Sequence, residues 1–216
     1  SNKHTDFFRS IALLIILCFL LQHQTATAQI NKETLSLKVA NAEAANLEKL
    51  KAFIWKRKSD VFVSNELKAT VITECKFDSS GKLDIIPVDA SSTVKEKSGI
   101  RGKMQKNAAE DKMEYIGKAL ELSLAYTYMS KGQLVDFFSK ASITAGEGSK
   151  LIIVAENLYV KGDKLTVHID TATTLFTYKE FSSLLGKDPI DGKMNYETFK
   201  SGISHVNNTI MNLPAQ

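Results

Sequence analysis

Few residues in this chain are of a type that does chemistry, and they are scattered. Of the two cysteines, Cys18 lies inside an apolar run and Cys75 stands alone. A thiol attacks only as a thiolate, with a base beside it in an accessible, electropositive setting. Cys75 instead falls in phase with Val71 and Phe77 on the apolar side of an alternating segment, which predicts a buried packing residue. Beyond residue 28 the imidazoles are His168 and His205, and neither stands at a ligand spacing from other donors. His168 falls on the polar side of its segment and reads as a surface histidine. Asp170 and Glu180 could face each other across strands, a pairing too common to signal acid–base work. No G-x-S-x-G, phosphate-binding loop or dinucleotide fingerprint is present. The sequence therefore assigns no catalytic residue, no metal ligand and no cofactor, and reads as a non-enzyme. Asn207-Asn208-Thr209 matches a glycosylation sequon, read as coincidence in a bacterial-type exported chain.

Charge narrows the partners. The formal net charge is +4, with 24% charged residues. That is mild, and a nucleic-acid binder would carry a dense basic face. The most basic stretch holds Lys95, Lys97, Arg101, Lys103 and Lys106, without aromatics to stack on bases. It reads as a solvated loop; the functional alternative is docking to an acidic partner or anionic headgroup.

The start of the chain reads as an export signal. Lys3 and Arg9 precede the apolar run IALLIILCFLL over 11–21, which is too short to span a bilayer. Ala26-Thr27-Ala28 then supplies a small-x-small site, predicting cleavage after Ala28. The expected destination is the periplasm or the medium, with no membrane span after cleavage. What remains, 29–216, is enough for one α+β domain with a substantial core. Its one thiol cannot form an internal disulfide, so that core must rest on packing.

The elements follow from periodicity. Leu37, Ala40, Ala44, Leu47 and Leu50 recur at helical spacing, predicting a helix over 32–52. The period then changes to two. Strands are predicted over 53–63, 67–77 and 82–88, the last two joined by the turn Asp78-Ser79-Ser80-Gly81. Residues 89–106 are polar and read as a loop. Asn107 and Glu110 predict the start of a helix striped by Met113, Ile116, Leu120 and Leu124, with Gly132 marking its end. A short helix carrying Leu134, Phe137, Phe138 and Ala141 follows. About five strands close the chain, over 151–159, 165–170, 173–181, 194–199 and 203–211. The expected fold is α+β: a curved antiparallel sheet of about seven to eight strands, packed against an N-terminal helix and a central helical pair.

This order of elements, helix 32–52, meander 55–88 and strands 151–211, resembles the periplasmic half-barrel proteins of the LolA, LppX and RseB type. The helical region 107–142 is larger than in the lipoprotein carrier. The segment 75–82 with the basic loop after it also looks like uncharacterised exported bacterial proteins. The half-barrel resemblance implies a sheet wrapped around helices, with an acyl-chain cavity between them. On that reading the candidate lining residues are Trp55, Val71, Phe77, Ile116, Leu120, Phe137, Phe176 and Tyr178. The chain would then be a periplasmic carrier of a hydrophobic ligand such as a lipid or lipoprotein acyl chain. The alternative is a non-catalytic interaction module of the cell envelope, with a packed interior, no ligand, and an exposed apolar patch or free strand edge for an envelope protein.

Overall fold

The first helix has its ends written into its sequence. Asn31 accepts a hydrogen bond from Thr34 N (2.9 Å), and Glu33 and Lys49 sit at the ends where the helix dipole favours their charges. In the computed structural model, which describes residues 31–63, 66–92 and 99–213, this helix (α1) spans Lys32–Leu50. The segment 1–28 assigned to a signal peptide lies outside the described residues.

Three strands follow, β1 (Ile54–Val63), β2 (Glu66–Phe77) and β3 (Leu83–Ser92), in an antiparallel meander. Asp78 makes the β2–β3 turn. Its Oδ1 accepts from Ser80 N and Lys82 N at 2.8 and 2.9 Å, and Gly81 takes φ +86°. Two helices come next, α2 (Gly99–Thr127) and α3 (Lys131–Lys140). The second sheet is β4 (Ser142–Ala145), β5 (Lys150–Glu156), β6 (Lys164–Asp170), β7 (Phe176–Leu185), β8 (Asp188–Thr198) and β9 (Ser204–Asn212), antiparallel in chain order.

The α+β class, the antiparallel pairing, the N-terminal helix and the central helical pair are as expected from the sequence. The strands divide into two sheets, of three and six strands among the described residues, rather than forming one. The division falls where the helical pair intervenes, because hairpins join every other neighbouring pair of strands. Several local readings change: β4 was not expected, β7 is shifted from 173–181 to Phe176–Leu185, and β8 starts at Asp188 rather than 194. Of the expected loop over 89–106, residues 89–92 are the end of β3, 99–106 are the first turns of α2, and 93–98 lie outside the described residues; adding turns to an existing helix costs little once it is nucleated. The side chains of Arg101, Lys103 and Lys106 lie outside the described residues. Gly132 lies in the first turn of α3, not at the end of α2; Ser130 caps α3 in a reciprocal box with Gln133.

The main core joins all three helices to the second sheet. Val39 and Ala40 of α1, Ala119 and Tyr126 of α2, and Leu134, Phe137 and Phe138 of α3 pack with Ile153, Val167, Phe181, Ile190 and Met194. Tyr126 stacks on Phe181, ring centroids 4.4 Å apart, and its hydroxyl donates to Asp163 Oδ2 at 2.7 Å. Asp163 also accepts from the backbone N–H of Leu158, Tyr159 and Val160. Burial works against its charge, but the Tyr126 hydroxyl and these N–H groups outweigh it and hold its carboxyl below the usual range. Phe181 lies over Gly192, where a Cβ would come within 2.6 Å of the ring's Cζ. A much smaller cluster (Leu50, Phe77 and Ile203, with Trp55 and Tyr128 against it) ties the first sheet to the rest.

Candidate functional site

One irregularity in β7 builds the site. His168 pairs with Tyr178 and Ile169 with Phe176, so Thr177 is an extra residue in the ladder. Without it, Phe176 and Tyr178 would share a face. With it, Phe176 joins Lys179, Phe181 and Ser183 among the buried positions. Tyr178 points the other way, its ring 4.9 Å from that of His168 and its hydroxyl donating to Glu180 at 3.0 Å.

Lys179 is thereby carried inward, to 1% exposure. A buried ammonium needs partners for its protons. Nζ donates to the carbonyls of Thr127 (2.8 Å) and Tyr126 (3.2 Å), the last residues of α2, where the helix dipole favours a cation. It also lies 3.9 Å from the centroid of the Phe176 ring. Glu43 of α1, half-buried, accepts from Phe176 N at 3.1 Å. Among the described residues Glu43 and Lys179 form no direct ion pair, so their charges act across a gap. Burial pulls the Lys179 ammonium down to about 8, with Glu43 opposing. Burial likewise raises the Glu43 carboxyl, with Lys179 and the Phe176 N–H opposing.

The gap opens into a cleft of about 90 Å³ between α1, the α2–α3 turn and strands β7 to β9. Its apolar wall includes Ala40, Ala44, Leu47, Leu50 and Phe176; its polar lining includes Glu43, Lys179, Ser204, His205 and Lys131. Asn46 braces the rim, donating to Ser204 O and accepting from Ser204 N, both at 2.8 Å. Two buried atoms on this wall have no hydrogen-bond partner, Ser204 Oγ and His205 Nδ1. The His205 ring itself is stacked on Phe199 at 4.1 Å. A second hollow, about 200 Å³, lies beside Met129, Gly132 and Tyr159. It is roomier but holds no buried charge: its Asp136 is paired with Lys140 at 2.8 Å, and the Tyr159 hydroxyl donates to Ala125 O. The cleft is therefore the stronger candidate.

Of the eight residues expected to line a cavity, Phe176 alone lines this cleft. Trp55 and Phe77 pack together at 5.6 Å in the small cluster, and Val71 is half-buried on β2. Ile116 and Leu120 are half-buried on α2, and Phe137 is enclosed in the main core against Phe138. Tyr178 is on the opposite face. Asp170 and Glu180 do not pair. Asp170 accepts from the backbone of Ala172 and Thr173 in its turn, whereas Glu180 meets Tyr178 and Lys193. Cys75 is buried as expected, at 1% exposure. Among the described residues no group of three or more His, Cys, Asp or Glu could hold a metal ion.

Glu43 and Lys179 escaped the sequence reading. Lys179 does sit two residues before Phe181, in phase with it, but only the bulge decides that this phase faces inward. No family model, curated protein or solved structure matches the chain. The site is accordingly read from its own geometry.

Proposed function

We propose that this chain is an exported binding protein that takes a small amphiphilic ligand in the cleft between α1 and the second sheet. The observation that carries the reading is Lys179, an ammonium at 1% exposure on the wall of a largely apolar cleft. Burying a charge is expensive, and a perturbed ionisable group in a cleft is a mark of a functional site. Size limits the ligand. Pockets for drug-sized molecules are about 300–1,000 Å³, and this one is about 90 Å³. The space between helices and second sheet, where the half-barrel resemblance would place an acyl chain, is occupied by Tyr126, Phe137, Phe138 and Phe181. A small molecule, or one end of a larger one, fits better than a swallowed lipid tail.

The test is a fragment titration of the protein observed by amide NMR. Hits should move the signals of Ala40, Ala44 and Phe176 together. Fragments that bind only elsewhere, or not at all, would end this reading.

A second reading, the envelope interaction module, is favoured by the first sheet. Ile54 and Phe62 are 65% and 60% exposed, and Leu67, Ile86 and Val88 are exposed as well. Its partner would be an envelope protein. Photo-crosslinkers placed at Phe62 and Ile86 should then trap one protein in intact cells, while a crosslinker at Leu184 should trap none.

A further inference from the structure

Resting on the binding reading above, we infer that the cleft takes the carboxylate of a short-chain monocarboxylic acid. Its head would sit against Lys179 and Ser204, and its carbon chain along Ala40, Ala44 and Leu47.

Three observations select this class. The first is charge. Lys179 and Lys131 line the cleft with Glu43 as the one carboxylate among its described lining residues, leaving one positive charge in excess. A single anionic group balances it, and a carboxylate accepts the charge-assisted hydrogen bonds that an ammonium gives. The second is unused hydrogen-bonding capacity. Ser204 is 2% exposed and its Oγ has no partner, nor has His205 Nδ1, and both residues line the cleft. A buried polar atom left unpaired is uncommon, and a ligand oxygen at this wall would relieve the deficit. The third is size and polarity. A single water needs about 10–15 Å³ where this cleft offers about 90 Å³, enough for several heavy atoms and far too little for a fatty acid. The two alanines keep the α1 side of the cleft low and apolar, where a short alkyl chain is favourable and a sugar or an inorganic ion is not.

Glu43 makes the inference testable in an unusual direction. Its charge repels an incoming carboxylate but also helps to hold the Lys179 ammonium, so in buffer well below about 8, where Lys179 stays charged without it, removing that charge should strengthen binding. Glu43→Gln keeps an oxygen to accept the Phe176 N–H.

The experiment titrates the whole chain with butyrate and with butyramide, its uncharged isostere, following the amide signals of Ala40, Ala44, Phe176 and Ser204. Butyrate should bind about tenfold more tightly than butyramide, the difference between a charge-assisted and a neutral hydrogen bond. Glu43→Gln should tighten butyrate binding several-fold and Ser204→Ala should weaken it several-fold, each with little effect on butyramide. Lys179→Met should abolish the preference for the acid. Because Lys179 also ties α2 to the sheet, that result counts only beside the Glu43 and Ser204 variants, which leave the tie intact. Equal or tighter binding of butyramide at the same residues would overturn the carboxylate assignment while leaving a ligand site in place. Failure of both probes to move those signals would overturn the assignment and the binding reading together. A Glu43→Gln variant that binds butyrate no better than the native chain would also overturn it.

Discussion

The two sheets are both antiparallel and are held in quite different ways. The second sheet is locked by a continuous core. Tyr126 stacks on Phe181, Phe181 covers Gly192, and Asp163 gathers the Tyr126 hydroxyl and three backbone N–H groups. The first sheet reaches the rest of the molecule through three buried side chains, Leu50, Phe77 and Ile203, and leaves Ile54 and Phe62 more than half exposed. Both sheets are paired throughout as antiparallel ladders. Only one of them buries most of its apolar side chains, and burial is the larger stabilising term. The cleft lies along the seam: α1 contributes Val39 and Ala40 to the large core and Leu50 to the small one.

Substitution measures the contrast most directly. Phe137→Ala, in the large core at 0% exposure, should destabilise the protein by about 3–5 kcal/mol in denaturant unfolding. Phe62→Ala, the same change on the first sheet at 60% exposure, should fall within about 0.5 kcal/mol of the native chain. Comparable losses at the two sites would show that the first sheet is better covered than its exposure implies.

A subtler break in the large core comes from adding one carbon. Gly192→Ala drives a Cβ into the Phe181 ring and should cost about 1–3 kcal/mol, read as a lowered unfolding midpoint. The pair Gly192→Ala with Phe181→Leu should recover part of that loss, because the smaller side chain vacates the space above the new methyl. No recovery would mean that the glycine is required for backbone reasons.

The smallest expected effect concerns the seam and depends on pH. Burial raises the Glu43 carboxyl, so the folded chain holds this proton more tightly than the unfolded chain. That contribution is complete below the ordinary value of 4.5 and is lost as pH rises through the raised folded value. Lys179, drawn down to about 8 from 10.5, does the reverse: between those values the unfolded chain binds more protons, and stability rises with pH. Thermal unfolding should therefore show a shallow minimum of stability between the two windows. Glu43→Gln should flatten the acid arm and, by removing the charge that opposes the fall of Lys179, deepen the alkaline arm. An unchanged acid arm would place that dependence on other groups.

Much of the fold was legible along the chain. The helix over α1 follows from Leu37, Ala40, Ala44, Leu47 and Leu50, and β2 from the alternation through Val71, Cys75 and Phe77. Gly81, Gly162 and Gly186 take φ of +86°, +87° and +66° at turns, which an achiral residue does without strain. The capping residues of α3, Ser130 and Gln133, stand in the sequence, but Gly132 between them reads as a stop because glycine ends helices more often than it begins them. The site was not legible. Phe176 and Tyr178 look equivalent in a period-two pattern, and one unpaired residue, Thr177, separates them.

Periodicity, turn chemistry and caps are properties of neighbours in sequence, so the chain by itself determined its class, its antiparallel pairing and most of its element boundaries. The tertiary structure alone decided that the strands part into two sheets, that Lys179 turns inward onto the last carbonyls of α2, and that Glu43 and Ser204 line the same cleft. Lys179 and Ser204 lie more than a hundred residues from Glu43 in the chain, and a bulge reverses the facing of every side chain beyond it. Such contacts exist only when the elements have packed, because no local preference distinguishes a lysine that will face water from one that will be buried.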